Sequence, residues 1–237
     1  MSELAAQLDL LWQLRDLDAQ AYSATQRAAR AGREQSAAEL AESQSRKRHD
    51  AAMQSQRDLE KRERDTEHEI KQLQKRLGAE EDQSNSATSE SIRKHSLDAL
   101  EKSRKQLDDL ENTGLALLEQ IEKAKTTVTT AAEAIKVASA RTVQLRQAHE
   151  VEQAAAKAKL AELQPGRDAL ASRLDDALRQ SYESARTKYP DSPICSVGNS
   201  VCAGCGGELT LHHATRVRAR TEIMRCPHCM RLHDERG

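Results

Sequence analysis

The sequence predicts an all-α, long antiparallel coiled-coil hairpin with a short third helix at its base, plus a small C-terminal β ribbon. Three observations predict it. An apolar or small residue recurs in alternating steps of four and three on both sides of one polar interruption; no proline occurs before Pro165; and all five cysteines lie in the last 43 residues of the 237. A 3.5-residue repeat kept over many heptads marks a coiled coil. Without proline, no residue removes an amide donor from either arm.

The first arm, from Ser2 to Leu77, keeps its register through Leu10, Leu14, Leu17, Ala21, Ala24 and Ala28, and on through Leu59, Ile70, Leu73 and Leu77. Its start is its most apolar part: Leu4, Leu8, Leu10, Leu11, Trp12, Leu14 and Leu17 exceed what a two-helix seam needs, so additional structure is expected to cover them. Between Gln44 and Asp65 the arm is dense in both signs of charge, which reads as a solvated face laced by i,i+4 pairs or as a basic stripe for nucleic acid. The tip, about 78–91, is rich in Ser, Asn, Glu and Asp and is expected to be a polar loop; the acids Glu80, Glu81 and Asp82 also make it a candidate contact point. The second arm runs from about Ile92 through Leu100, Leu107, Leu110, Gly114, Leu117, Ile121, Val128, Ile135 and Leu145 to Leu163. Gly114 sits on its seam, where glycine costs roughly 1 kcal/mol against alanine, and reads as a place for close helix approach. At about 1.5 Å per residue each arm would reach roughly 100 Å. Gln164-Pro165-Gly166 is expected to end the arm, and a base helix over about 167–188 to fold back on the Leu-rich start. The predicted division is therefore 1–189 for the hairpin and base helix and 190–237 for the ribbon, each with its own core.

Composition agrees with so narrow a core. Aromatic residues make up 2%, Phe is absent, and charged residues make up 32%. The unbroken register argues against disorder, the competing reading of such polarity. A formal net charge of −1 names no partner. No stretch approaches the roughly 20 apolar residues of a membrane span, and the first residues lack the basic start and apolar run of a secretory leader, so the expected location is cytoplasmic.

The tail carries the chemistry. Cys202-Ala203-Gly204-Cys205 and Cys226-Pro227-His228-Cys229 are two C-x2-C pairs separated by 20 residues. Each pair can turn two thiolates toward one ion, and the segment between can bring the pairs opposite one another. That spacing points to one structural Zn2+ held by Cys202, Cys205, Cys226 and Cys229, hence a zinc ribbon. Four thiolates leave no open position for water, so the site is expected to fold the tail rather than catalyse. Two disulfides are the alternative, which a cytoplasmic location disfavours. Cys195 reads as a small buried thiol on a strand entering the ribbon, and His212, His213, His228 and His233 as surface residues or neighbours of the ligands. Thr215-Arg216-Val217-Arg218-Ala219-Arg220-Thr221 alternates, which on a strand would put Arg216, Arg218 and Arg220 on one face with Arg225 and Arg231 nearby. That face would bind phosphate or an acidic protein surface, or simply offset the charge of four thiolates; the sequence leaves these readings open. No Gly-rich phosphate loop, open metal site or Ser/His/Asp constellation appears, so no enzyme is expected.

The long antiparallel coiled coil, the break at Pro165, the short helix with Tyr182, Glu183 and Arg186, and the C-x2-C/CPxC ribbon resemble the bacterial coiled-coil zinc-ribbon family with four cysteine ligands. Cys202-x-Gly204-Cys205, Cys226-Pro227-x-Cys229 with Arg231, and the Leu110-Glu111 to Leu117-Leu118-Glu119 segment carry most of the likeness. The resemblance implies zinc on the four named cysteines and protein partners: a sigma-54-class sigma factor, as bound by a flagellar regulatory chaperone, or secretion and flagellar components, with RNA in places. Departures from the pattern are Met230, where glycine is usual, and Leu232-His233, where an aromatic is usual; Arg93 to Leu97 also lacks the usual Glu and Tyr. The leading expectation is a non-enzymatic adaptor for protein partners, with self-association open. The alternative is a nucleic-acid binder using Arg216, Arg218, Arg220 and Arg225.

Overall fold

A computed structural model describes residues 3–86 and 88–235; Ser2, Ala87 and the last two residues of the ribbon span lie outside it. Two long helices, α1 (Glu3–Ser86) and α2 (Glu90–Ala171), are followed by α3 (Asp176–Lys188). The tail holds β1 (Ile194–Gly198), β2 (Val201–Cys202), α4 (Leu211–Ala219), β3 (Met224–Arg225) and β4 (Leu232–Asp234). α1 and α2 run antiparallel. Gln35 meets His149 at 2.7 Å, Ile70 lies against Gly114, and Ser103 donates to Glu80 at 3.0 Å, so partners descend along α2 as they ascend along α1. None of the seam positions named above is exposed on either helix. The chain forms two compact units: residues 1–36 with 144–237, and residues 37–143.

In the 37–143 unit the seam is thin. Leu73, Leu77 and Leu100 are buried, with Leu107 and Leu110 packed against them. Elsewhere Glu42, Ser45, His49, Gln56, Glu63 and Thr66 occupy seam positions and are only half-buried. The charged stretch carries intrahelical pairs such as Arg46 to Glu42 at 2.8 Å and Lys71 to Glu67 at 2.6 Å, as expected of a solvated face. The expected tip loop is much shorter than 78–91. α1 continues through Gly78 and the acids to Ser86, and α2 begins at Glu90. Ser84 and Ser103 are buried, and Arg104 pairs with Glu81 at 2.7 Å. Small and hydrogen-bonded side chains thus let the two helices stay together where composition alone reads as a loop.

In the unit of residues 1–36 and 144–237, α3 and the tail cover the Leu-rich start of α1. Leu8, Leu10, Leu11 and Leu14 pack with Leu174, Leu178, Tyr182, Ile194 and Leu232. Because Ile194 and Leu232 belong to the ribbon, the ribbon shares this core rather than having one wholly its own. Pro165 does not end α2 either: the helix passes it and stops at Ala171. Its register just beyond the proline is fixed by tertiary contacts. Arg167 donates to Asp18 at 2.8 Å and also pairs with Glu183, and the position of a Gly166 side chain would lie 3.6 Å from Leu17. Such contacts offset the cost of an interior proline, about 3 kcal/mol. The third helix accordingly starts at Asp176, about nine residues later than expected.

Asp18 is the polar centre of this unit. It is 2% exposed, accepts from Tyr182 at 2.9 Å and from Arg167, and lies 3.1 Å from Arg186. Burial, and then the Asp18 carboxylate, push Tyr182 ionisation well above the ordinary tyrosine range, so the hydroxyl keeps its proton for this bond.

The ribbon sheet has strand order β2-β1-β4-β3. β1 pairs antiparallel with β2 and parallel with β4, and β3 pairs antiparallel with β4. Asn199 and Ser200, at φ 52° and 61°, close the β1–β2 hairpin in the left-handed region that a two-residue turn requires.

Candidate metal centre

Both C-x2-C pairs are built on the same backbone turn. In the first, Cys202 N–H donates to Gly207 C=O at 3.0 Å and Gly206 N–H to Cys202 C=O at 2.8 Å. In the second, Cys226 N–H donates to Arg231 C=O at 2.9 Å and Met230 N–H to Cys226 C=O at 3.0 Å. Equivalent positions take positive φ, 73° at Gly206 and 68° at Met230. The turn demands that conformation whatever residue stands there, and Met230 adopts it at a steric cost that Gly206 avoids.

The two turns face each other. The sulfurs of Cys202, Cys205, Cys226 and Cys229 all lie within 4.8 Å of one another, with Cys202 to Cys229 at 3.9 Å and Cys205 to Cys226 at 3.7 Å. A tetrahedral ion bound by thiolates at 2.3 Å needs sulfur edges of about 3.8 Å. The four cysteines are therefore positioned to hold one metal ion. Three are buried and Cys205 is exposed. Burial holds the Cys226 thiol above its ordinary range. At Cys229 burial acts the same way, but the Arg231 N–H and the neighbouring thiols outweigh it and bring the group down to about 7.

The surroundings are as specific as the ligands. A side-chain carbon on Gly204 would fall 2.7 Å from Arg231 Cδ and 3.1 Å from Cys195 Sγ, so a larger residue there would force Arg231 to shift. Arg231 stacks 3.5 Å above the Tyr189 ring and donates to the carbonyls of Gly204 and Ser192 at 2.6 and 2.9 Å. It ties the first turn to the segment that enters the ribbon. His228 bridges the two turns, its Nε2 3.0 Å from the Glu208 carbonyl oxygen. Cys195 is a buried strand residue, as expected, with its sulfur 3.6 Å from that of Cys202. Burial, then Cys202, raise its thiol to about 12. His233 is buried, with Nδ1 2.9 Å from His213 Nε2, and stands with Cys195 and Cys202 in a second group of ligand-type side chains. His212 is exposed.

The basic residues are not arranged as the strand reading expects. Residues 211–219 form α4, not a strand. Thr210 caps it by accepting from His213 N–H, and Ala214 and Val217, three apart, are its buried positions. At 100° per residue Arg218 lies on the opposite side of α4 from Arg216, and Arg220 stands past the helix end at φ 50°. Arg216 pairs with Glu222. Arg220 lies 2.9 Å from both Asp9 and Asp234, and Asp234 also accepts from Trp12 Nε1 at 2.8 Å. Arg220 thus joins the ribbon to the start of α1. Arg218 is exposed on α4, and Arg225 is half-buried in β3. Sequence reasoning missed Asp9, Trp12 and Asp234 as the partners of this arginine, because no local spacing relates them. The Thr210 cap and the Ala214/Val217 spacing were the readable signals of α4.

No protein-family model matches the chain, and no curated protein matches it in sequence. Solved structures do share its fold. The CT398 protein of Chlamydia trachomatis superposes with a TM-score of 0.75 at 17% identity, over 98% of this chain and 99% of that one. The HP0958 protein of Helicobacter pylori gives 0.74 at 14% identity, over 98% of each chain. A Mycobacterium smegmatis protein gives 0.60 at 19% identity, over 99% of each. At these identities the likeness is one of fold. Among the described residues no helix is long and apolar enough to cross a membrane.

Proposed function

We propose that this chain is a non-enzymatic, zinc-binding adaptor, with 1–189 as its helical part and 190–237 as a four-cysteine ribbon, working in the cytoplasm. The observation that carries the reading is the closed set of four sulfurs within 4.8 Å. Four thiolates saturate a tetrahedral Zn2+, which then polarises no substrate and activates no water. Its work is to fix the ribbon, and through Ile194 and Leu232 the core at the start of α1. The remaining surface belongs to two solvated helices, suited to lateral contact with proteins. By the family resemblance those proteins are a sigma-54-class sigma factor or secretion and flagellar components. Nucleic acid is the weaker candidate. Arg216 and Arg220 are already engaged by Glu222, Asp9 and Asp234, so a phosphate would have to displace internal partners.

Recovery of the tagged chain from its native cell, with and without nuclease, tests the reading. A defined set of proteins that survives nuclease and is reconstituted from purified components is the expected result. Recovery that collapses with nuclease, with RNA or DNA in the eluate, would replace the adaptor by a nucleic-acid binder.

A further inference from the structure

Within the 37–143 unit, one edge of the helix pair carries an apolar groove that no element of that unit covers. Its floor and walls are Ile70 of α1 with Gly114, Leu115 and Leu118 of α2, and Glu63, Glu67 and Glu111 rim it. Leu115 and Leu118 are 63% and 49% exposed, on the flank of a helix whose seam already buries Leu117 and Ile121. Two large side chains one turn apart in water are a surplus the hairpin does not use.

Gly114 makes the surplus more specific. An interior helical glycine costs roughly 1 kcal/mol against alanine. Close helix approach does not require it, because an added carbon would meet only Ile70 Cδ1, at the ordinary contact distance of 3.9 Å. What the missing side chain does is open the groove floor between Ile70 and the two exposed leucines. The charged lining residues, Glu63, Glu67 and Glu111, are all acidic, while Arg62, Arg64 and Lys71 stand beside them in α1. Asp108, Asp109, Glu111, Glu119 and Glu122 are the only charged residues between Lys105 and Lys123. Lys71 engages Glu67 and Lys125 engages Glu122, but Glu63 and Glu111 have no ion pair among the described residues.

We infer that this groove receives a cationic amphipathic helix of a partner protein, which lies along α1 and α2 as a third strand of the coil. Lining residues Glu63 to Ile70 and Glu111 to Leu118 each span two turns, roughly 10 Å. The occupant therefore presents apolar residues at i, i+3 or i+4, and i+7 to Gly114, Leu115 and Leu118, with Lys or Arg flanking them toward the glutamates. Apolar contact supplies affinity, and the acidic rim selects the sign of the partner and speeds encounter. The inference deepens the adaptor reading by naming one surface and one partner class, and the groove itself does not depend on the metal.

The test uses the full zinc-loaded chain and a synthetic, end-capped 14-residue helix with leucine on one face and lysine on the other, carrying a benzophenone. Saturable binding is expected, with photo-crosslinks confined to the 63–70 and 111–118 segments. Leu115→Ser and Leu118→Ser should each weaken binding about tenfold, as loss of a central apolar anchor does. Gly114→Leu should abolish it without lowering the melting temperature. A control helix with glutamate in place of lysine should bind at least tenfold more weakly. Cys202→Ser should leave binding unchanged, which separates failure of the groove from failure of the zinc reading. Crosslinks scattered along both helices, equal binding of the glutamate helix, no binding, or indifference to Leu118→Ser would overturn the inference. So would a concentration-dependent dimer abolished by Leu118→Ser, which would assign the groove to a second copy of this chain.

Discussion

Leu10 and Leu14 are 8% and 0% exposed, whereas Leu59 and Ile70, at the equivalent seam positions farther along α1, are only half-buried. The difference lies in the number of layers. In the 1–36/144–237 unit, α3 and the ribbon strands close over the two helices, so large side chains and even the Asp18 carboxylate are sealed from water. In the 37–143 unit two helices cover only each other. Its seam can therefore include Glu42, His49, Gln56 and Glu63, each only half-buried. The first unit is held by a few indispensable contacts, the second by many small ones.

Metal removal should separate the two most sharply. Structural zinc contributes about 10–16 kcal/mol in small zinc domains, so chelation or Cys202→Ser should unfold the ribbon. Because Ile194 and Leu232 are part of the core at the start of α1, amide exchange should also accelerate in residues 3–18 and 174–185. Exchange in 37–143 should stay as it was. Equal acceleration in both units would mean that the helices share one cooperative core.

Asp18→Ala comes next. It leaves Arg167 and Arg186 facing a vacated site and removes the acceptor of Tyr182. Loss of one partner of a buried ionic cluster costs about 3–5 kcal/mol, and denaturant melts followed by exchange should place that loss in the first unit alone. Leu11→Ala should cost about 3–5 kcal/mol for a fully buried leucine. Leu59→Ala, at a half-buried seam position, should cost only about 1–2 kcal/mol. Similar losses at Leu11 and Leu59 would erase the distinction between layered and two-helix packing. The smallest effect has the opposite sign. Met230→Gly should stabilise the zinc-loaded ribbon by about 1 kcal/mol, because glycine meets the positive φ of this turn without a side-chain clash.

The same contrast explains what the sequence reveals. Periodicity reports a seam made by two helices, and every seam position read from it is buried or half-buried. The knuckle spacing reports the cluster of four sulfurs, because C-x2-C is a local turn and both pairs adopt it. The errors fall where distant contacts override local preference. Pro165 lies inside α2, held by Arg167 on Asp18. The polar 78–86 segment stays helical, held by Glu80 on Ser103 and Glu81 on Arg104. In Arg216-Val217-Arg218-Ala219-Arg220, alternation mimics a strand, but the Thr210 cap and the burial of Ala214 and Val217 make a helix. Arg220, read as a candidate partner or nucleic-acid contact, also pairs with Asp9 and Asp234, whose place in the fold no spacing foretells.

Zinc K-edge X-ray absorption on the full chain purified without chelator tests the proposed centre most directly. One zinc per chain, surrounded by four sulfurs at about 2.3 Å with no nitrogen or oxygen neighbour, is the predicted result. A chain without zinc, or a shell with fewer than four sulfurs and a bound water or histidine, would contradict the closed four-cysteine site and with it the non-catalytic role.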